Sequence, residues 1–276
     1  MPQAEGLAPR SPADDSDAEA SQAAIQYRDL SVVYGWGRTA VVALDAVDLD
    51  VRQNEFVAVI GPSGCGKSTL LRVTAGLINS EFVQGQVLVN GQSPDEARRA
   101  NSFAFVFQDP VLAPWRTVLQ NVRLPLEVVP AGRGARRTPA ELIKLVGLEG
   151  FENALPSALS GGMRQRVSLA RSLCLDPSVL LMDEPFGALD ELTRDRMHDE
   201  LLGIWATTNA AVLLITHSIV EAAFLADRVV VMTARPGSVK RVVSIPFPRP
   251  RSPQLKTTVE FLDKTNEIRA ALEPSR

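Results

Sequence analysis

Phe56-Val57-Ala58-Val59-Ile60-Gly61-Pro62-Ser63-Gly64-Cys65-Gly66-Lys67-Ser68-Thr69 is the stretch on which the fold turns. Its first five residues form a continuous apolar run of buried-strand length. The next nine fit the phosphate-loop pattern G-x-x-x-x-G-K-[ST]. Glycines there let backbone N–H groups turn inward around the β- and γ-phosphates of a nucleotide, where a Cβ would crowd the oxygens. Lys67 is expected to bring a point charge to those phosphates, and the Ser68 hydroxyl to ligate Mg²⁺. Leu70 to Gly76 reads as a helix that ends at its glycine. Strand, loop and helix N-terminus, in that order, are what anion binding needs. Every position from Gly61 to Thr69 is therefore a candidate for nucleotide contact.

Upstream, β-rich segments alternate with turns: Ser31 to Tyr34, Val41 to Leu44 and Val47 to Val51. Downstream, Gly85 to Gly91 reads as a strand closing on the tight-turn dipeptide Asn90-Gly91, and Phe103 to Phe107 as another. From about Pro110 to Ser160 the chain changes character, with Pro and Arg punctuation at Arg133 to Pro139 and a helical pattern in Leu142, Leu145 and Val146. Buried strands then alternate with helices, at Val179 to Met182, Val212 to Thr216 and Val229 to Met232. That alternation predicts an α/β fold with a mostly parallel sheet. Residues 1–24, rich in Ala, Ser, Pro and Asp, read as a disordered tail. After Ser244, the Pro-rich Ile245 to Pro253 is expected to leave the fold as an extended segment, followed by a surface helix over Leu255 to Leu272.

The bulk numbers narrow the function. Lys+Arg 29 against Asp+Glu 32 gives a net charge of −3, so no basic excess argues for nucleic acid as a partner. Cys65 and Cys174 show neither metal spacing nor a disulfide framework, which suits a reducing cytosol. No apolar stretch approaches the ~20 residues of a membrane helix, so membrane work is expected to pass through a partner. The N-terminus has no basic-then-apolar signal pattern.

Val179-Leu180-Leu181-Met182-Asp183-Glu184 is an apolar strand ending in two carboxylates. Downstream of a phosphate loop, Asp183 is expected to hold Mg²⁺ through water, and Glu184 to act as general base on the attacking water. Leu159-Ser160-Gly161-Gly162-Met163-Arg164-Gln165-Arg166 can be read as an ordinary helix start capped by serine. Ahead of a strand ending in Asp-Glu, it resembles the signature of the ATP-binding cassette (ABC) transporter ATPases. The resemblance spans Ile25 to about Gly237. It implies a P-loop NTPase (RecA-like) core carrying an antiparallel β subdomain and an inserted α-helical signature subdomain at about 110–175. The domain would run over 25–244, with 245–276 as a C-terminal extension.

The resemblance also implies site roles. Gln108 matches the glutamine that reaches Mg²⁺ and the nucleophilic water. Asp190, in Gly187-Ala188-Leu189-Asp190, matches the aspartate that crosses a dimer interface. His217 matches the histidine that contacts the γ-phosphate, and Ser160, Gly161, Gly162 and Gln165 belong to a signature that binds ATP held by the opposite subunit. Tyr34 is the candidate aromatic for adenine, with Trp36 the second choice. Cys65, inside the phosphate loop, is expected to be alkylated with loss of ATP binding and to be protected by ATP. Gln53-Asn54 stands where such proteins commonly carry glycine; Asn tolerates left-handed backbone angles nearly as well. Ser218 follows His217 where aspartate is frequent.

One chain's phosphate loop and signature cannot serve the same ATP, so a head-to-tail pair of copies closing on two ATP molecules is implied. With one cassette and no membrane span, the chain resembles a separate ATPase subunit working with integral-membrane permease subunits, at the cytoplasmic face of a bacterial inner membrane. A finer likeness, carried by Phe107 to Val118 and Asp227 to Gly237, is to nitrate, sulfonate and taurine importer ATPases, which a solute-binding protein serves indirectly. Trp115 and Arg116 are candidates to line the groove where permease helices dock, although Trp115 also reads as a packing residue of the subdomain. The alternatives are a soluble cassette ATPase of DNA repair or translation, a phosphate-loop kinase, and an importer of another solute such as a pyrimidine vitamin precursor. Sulfonate is the preferred solute.

Overall fold

The computed structural model describes residues 23–129, 137–187, 189–208 and 210–273, and of Arg38 the backbone alone. Residues 1–22 of the expected 1–24 tail, Arg133 to Arg136 of the punctuated stretch and Ala188 lie outside the described residues, whereas Ala23 and Ala24, expected in the tail, open the first strand. Two sheets carry the fold. Strands β1 (Ala23–Tyr34), β2 (Val41–Arg52) and β4 (Val83–Val89) form an antiparallel sheet in the order β2-β1-β4. Each of the first two is one 12-residue strand, where sequence reading separated Val41 to Leu44 from Val47 to Val51. A register irregularity between Leu30 and Val32 and the left-handed Ala46 (φ 46°) absorb the break without ending the ladder.

The second sheet has six strands in the order β5-β6-β7-β3-β8-β9. Five are parallel: β5 (Phe103–Val106), β6 (Val179–Asp183), β7 (Ala211–Ile215), β3 (Phe56–Ile60) and β8 (Arg228–Met232). Strand β9 (Val239–Ser244) pairs antiparallel to β8. Strands β3, β6 and β7 are buried along their whole length, which is why their sequences run apolar without alternation. Their period of two divides the burial between two cores. Phe56, Ala58 and Ile60 face the core that holds the helices following β5, while Val57 and Val59 face the core shared with the antiparallel sheet.

Helix α1 (Lys67–Thr74) follows β3, and α2 (Pro94–Arg99) leaves the Asn90-Gly91 turn, whose two positive φ angles are those a two-residue turn requires. Helices α3 (Val118–Val128), α4 (Pro139–Leu145) and α5 (Gly161–Ser172) pack together between β5 and β6 in the chain. Thr117 and Thr138 open α3 and α4 with capping boxes, and Ser160 caps α5 through the Met163 N–H. Buried Asn121 ties down the loop before α3: its Oδ1 accepts from Ala113 N, and its Nδ2 donates to the carbonyls of Ala113, Arg116 and Thr117. Helix α6 (Glu191–Trp205) precedes β7, and α7 (Ile219–Leu225) precedes β8.

The C-terminal segment corrects the sequence expectation. Ile245 and Phe247 join the helix-side core instead of leaving it, and Arg251 is buried with its guanidinium donating to the carbonyls of Phe224, Ala226 and Phe247. Helix α8 (Val259–Leu272) buries Phe261, Thr265, Ile268 and Ala271 against α7 and β8. Prolines keep Ile245 to Pro253 extended, but the intervening side chains pack as a seam.

Candidate nucleotide-binding site

The sheet's topology places the two chemical motifs side by side. Register aligns Asp183 with Ile215 on β7, and Ile215 with Val59 on β3, so the C-terminal ends of β6 and β3 open on one edge with a single strand between them. Clefts form at such edges in open parallel sheets. From Gly66, left-handed at φ 101°, the loop turns into α1. A Cβ there would lie 2.6 Å from the Ala43 carbonyl oxygen, so only glycine lets the loop pass β2.

A cleft of ≈ 280 Å³ lies over the loop. Ser63, Gly64, Gly66, Lys67, Ser68 and Thr69 form its floor, while Tyr34, Ala43, Glu184 and Arg235 form its walls. Lys67 is mostly buried, its Nζ donating to the carbonyls of Gly61 (2.9 Å) and Pro62 (3.0 Å). Ser68 Oγ donates to Asp183 Oδ1 at 3.0 Å. Burial pushes the Asp183 carboxyl up, and the Ser68 hydrogen bond partly offsets this. A hydroxyl beside a carboxylate is a hard-oxygen donor pair suited to Mg²⁺, which takes one or two protein ligands and completes its shell with water and phosphate. Among the described residues no group of three or more His, Cys, Asp or Glu forms a metal cage.

Glu184 leaves β6 with φ 46°, a conformation that costs a non-glycine residue on the order of 1–3 kcal/mol. The turn is held by Glu184 N–H donating to the Ile215 carbonyl and Gly187 N–H donating to the Glu184 carbonyl. It brings Glu184 Oε2 within 3.2 Å of His217 Nδ1. His217 itself is exposed, on the turn between β7 and α7.

Other expected site residues fall elsewhere. Gln108 is exposed just beyond β5. Ser160 and Asp190 are exposed helix caps of α5 and α6, and neither lines the cleft of its own chain. Gly161 and Gly162 open α5, and a Cβ on Gly162 would meet Leu189 at 2.7 Å. Gln165 is buried, and its Nε2 donates to the Phe107 carbonyl at 3.1 Å. It fastens the helical region to the loop that bears Gln108.

Two further expectations are corrected or divided. Cys65 is 1% exposed, its Sγ packed behind the loop 3.9 Å from Lys67 Nζ, so an alkylating reagent cannot reach it while the loop stays closed. Cys174 is buried, as core packing predicted. Tyr34 lines the cleft; Trp36 does not, and both rings lean on Phe82 at 5.9 and 5.8 Å. Asn54 sits at φ 54°, the left-handed angle expected of it. Sequence reading missed Arg235 and Gly237. A Cβ on Gly237 would lie 1.9 Å from the Cys65 carbonyl oxygen, so the β8–β9 turn rests directly on the phosphate loop.

A family model described as ABC transporter matches residues 44–187. The chain is 46% identical over 248 residues to an uncharacterised ABC transporter ATP-binding protein of Methanocaldococcus jannaschii, covering 88% of this chain and 89% of the relative. It is 44% identical to a taurine import ATP-binding protein of Rhizobium johnstonii, covering 86% and 91%. Among solved structures, it resembles an ATP-binding cassette captured as a dimer in a post-hydrolysis state with ADP and phosphate. That match has a TM-score of 0.71 at 31% identity and covers 81% of this chain and all of the other.

Proposed function

This chain belongs to the ABC transporter family and is one of its ATPases, and from that premise we propose that it is the motor subunit of a bacterial importer for a small anion. The cleft geometry that carries the reading is the convergence of Lys67, Ser68, Asp183 and Glu184 at one sheet edge. Lys67 binds the β- and γ-phosphates, and Ser68 with Asp183 would hold Mg²⁺, whose positive charge would offset that of the phosphates. Glu184 accepts the proton of the attacking water, and His217 and Gln108 meet the γ-phosphate side. Tyr34 stacks on adenine.

Because Ser160 and Asp190 do not line their own chain's cleft, the signature serves the ATP of a second copy arranged head to tail. The dimeric neighbour with ADP and phosphate supports this arrangement. Binding then closes the pair and hydrolysis opens it, a two-state element able to drive integral-membrane permease subunits. No helix among the described residues is long and apolar enough to cross a membrane. The permease contact is placed near Gln108 to Val122, where Trp115 is 77% exposed and Phe107 and Val111 are also uncovered. Trp115 therefore does not serve as packing for the helical region.

The solute is proposed to be taurine or another aliphatic sulfonate, with nitrate as the alternative; the taurine-import relative supports the first. The test is growth of a deletion strain on taurine, alkanesulfonate or sulfate as sole sulfur, and on nitrate as sole nitrogen, complemented with wild type or Glu184→Gln. Rescue on sulfonate by wild type alone is expected. Normal growth of the deletion strain on every source would overturn the solute assignment.

A further inference from the structure

The turn between β8 and β9 is held on three sides. Thr233 N–H donates to the Ser238 carbonyl, Ser238 N–H donates to Thr233 Oγ1, and Thr233 Oγ1 donates to the Pro236 carbonyl, all at 2.9 Å. Gly237 then crosses to β2, its N–H donating to the Ala43 carbonyl while its own carbonyl accepts from Asp45 N–H, both at 3.0 Å. Its Cα lies so close to the Cys65 carbonyl that no side chain fits. A turn fixed this firmly carries its tip residue at a defined place, and that residue is Arg235.

Arg235 is exposed and lines the same cleft as Lys67 and Tyr34. Among the described residues it makes no hydrogen bond or ion pair with the protein. An arginine on a rigid support, unpaired and facing an anion site, has five N–H donors awaiting acceptors. The backbone links its turn to the strand that pairs with Tyr34. Ala43, to which Gly237 is bonded, lies two residues from Val41, the β2 partner of Tyr34. Lys67, Ser68 and Glu184 line the same cleft and mark its terminal-phosphate side.

We propose that Arg235 is a nucleotide-binding residue that completes the nucleoside side of the cleft together with Tyr34, donating to the α-phosphate and ribose oxygens of ATP. This rests on the assignment of the cleft as the ATP site. A contact to these oxygens acts on binding, because the α-phosphate and ribose oxygens take no part in the bond that breaks. It also explains why the β8–β9 turn is pinned to the phosphate loop: the hairpin positions a ligand group as well as closing the sheet edge.

The experiment is titration of the full-length protein with a fluorescent ATP analogue and Mg²⁺, using wild type, Arg235→Ala, Arg235→Gln, Arg235→Lys and Lys67→Ala, with steady-state phosphate release alongside. One charge-assisted contact at a partly solvated site corresponds to about a tenfold rise in Kd for Arg235→Ala and Arg235→Gln. A smaller rise is expected for Arg235→Lys, and KM should rise by a larger factor than kcat falls. Arg235 has no protein partner to lose, so the variants should melt with wild type. Affinities of both neutral variants within about twofold of wild type, with Lys67→Ala defective, would overturn the role of Arg235 alone. Wild type that fails to bind the nucleotide would overturn the cleft assignment and this proposal together.

Discussion

Glu184 Oε2 and His217 Nδ1 meet at 3.2 Å at the C-terminal edge of the parallel sheet, although 33 residues separate them in the chain. The contact exists because β6 and β7 are adjacent and parallel, so their ends arrive at one level. Glu184 reaches it only through a left-handed backbone turn, a conformation that a carboxylate with no task at that point would not be expected to keep.

Glu184→Gln preserves size and hydrogen bonding but cannot accept a proton. ATP binding is expected to survive while turnover falls by roughly 10²–10⁴, the range for loss of a general base. Single-turnover phosphate release beside equilibrium nucleotide binding separates the two effects. Turnover near wild type would assign the base elsewhere.

Lys67→Ala removes the ammonium that now rests on the Gly61 and Pro62 carbonyls. Nucleotide affinity should fall by at least about tenfold, the loss of one charge-assisted hydrogen bond. Affinity equal to wild type in direct titration would contradict the phosphate-loop assignment.

Gly237→Ala tests the clamp between the hairpin and the loop. A methyl 1.9 Å from the Cys65 carbonyl oxygen has no free space, so backbone must move, at a cost of about 1–3 kcal/mol. Lower thermal stability and weaker nucleotide binding are expected together, because the displaced carbonyl belongs to the loop. A melting temperature unchanged from wild type would mean the turn yields freely.

Arg251→Ala strips the C-terminal seam of its buried guanidinium, leaving the Phe224 and Ala226 carbonyls without their donor. Burial already lowers this group's pKa to about 10. Destabilisation of about 2–4 kcal/mol is expected in urea unfolding. A loss below about 0.5 kcal/mol would return the segment to the status of a detached tail.

Glu221→Gln isolates a buried carboxyl whose pKa burial raises to about 7. Its Oε2 accepts from Thr216 Oγ1, which in turn accepts from Ser218 N–H, bracketing His217. A carboxyl with a native pKa above its unfolded value of 4.5 costs stability as pH rises from 4.5 to 7, because the unfolded chain ionises first. The variant, measured against wild type, should therefore gain up to about 3 kcal/mol between pH 4.5 and pH 8. Neighbouring His198 works the other way, since burial lowers its pKa to about 3 and acid must charge it in the unfolded state. Arg194, Lys256 and Glu184 also act on Glu221. Parallel urea midpoints across that range would show that Glu221 titrates normally.

Much of the site could be read from contiguous residues. The phosphate loop, the Asp183-Glu184 strand end and the Ser160 cap each join a backbone conformation to a side-chain chemistry within a few positions, and such local rules hold wherever the chain goes. The burial of β3, β6 and β7 was legible for the same reason, because strands covered on both faces must be apolar throughout. What stayed hidden depended on elements far apart in the chain. Arg235 and Gly237 are ordinary turn residues until sheet order lays the β8–β9 hairpin across β2 and the phosphate loop. Cys65 reads as an accessible thiol until Gly61, Met232 and Gly237 close over that side of the loop. Gln165 and Arg251 carry polar side chains, and their donors meet the carbonyls of Phe107 for the first and of Phe224, Ala226 and Phe247 for the second, which offsets part of the cost of burial. Local pattern encodes what a segment can become; which distant donor meets which acceptor is settled only when the sheets close.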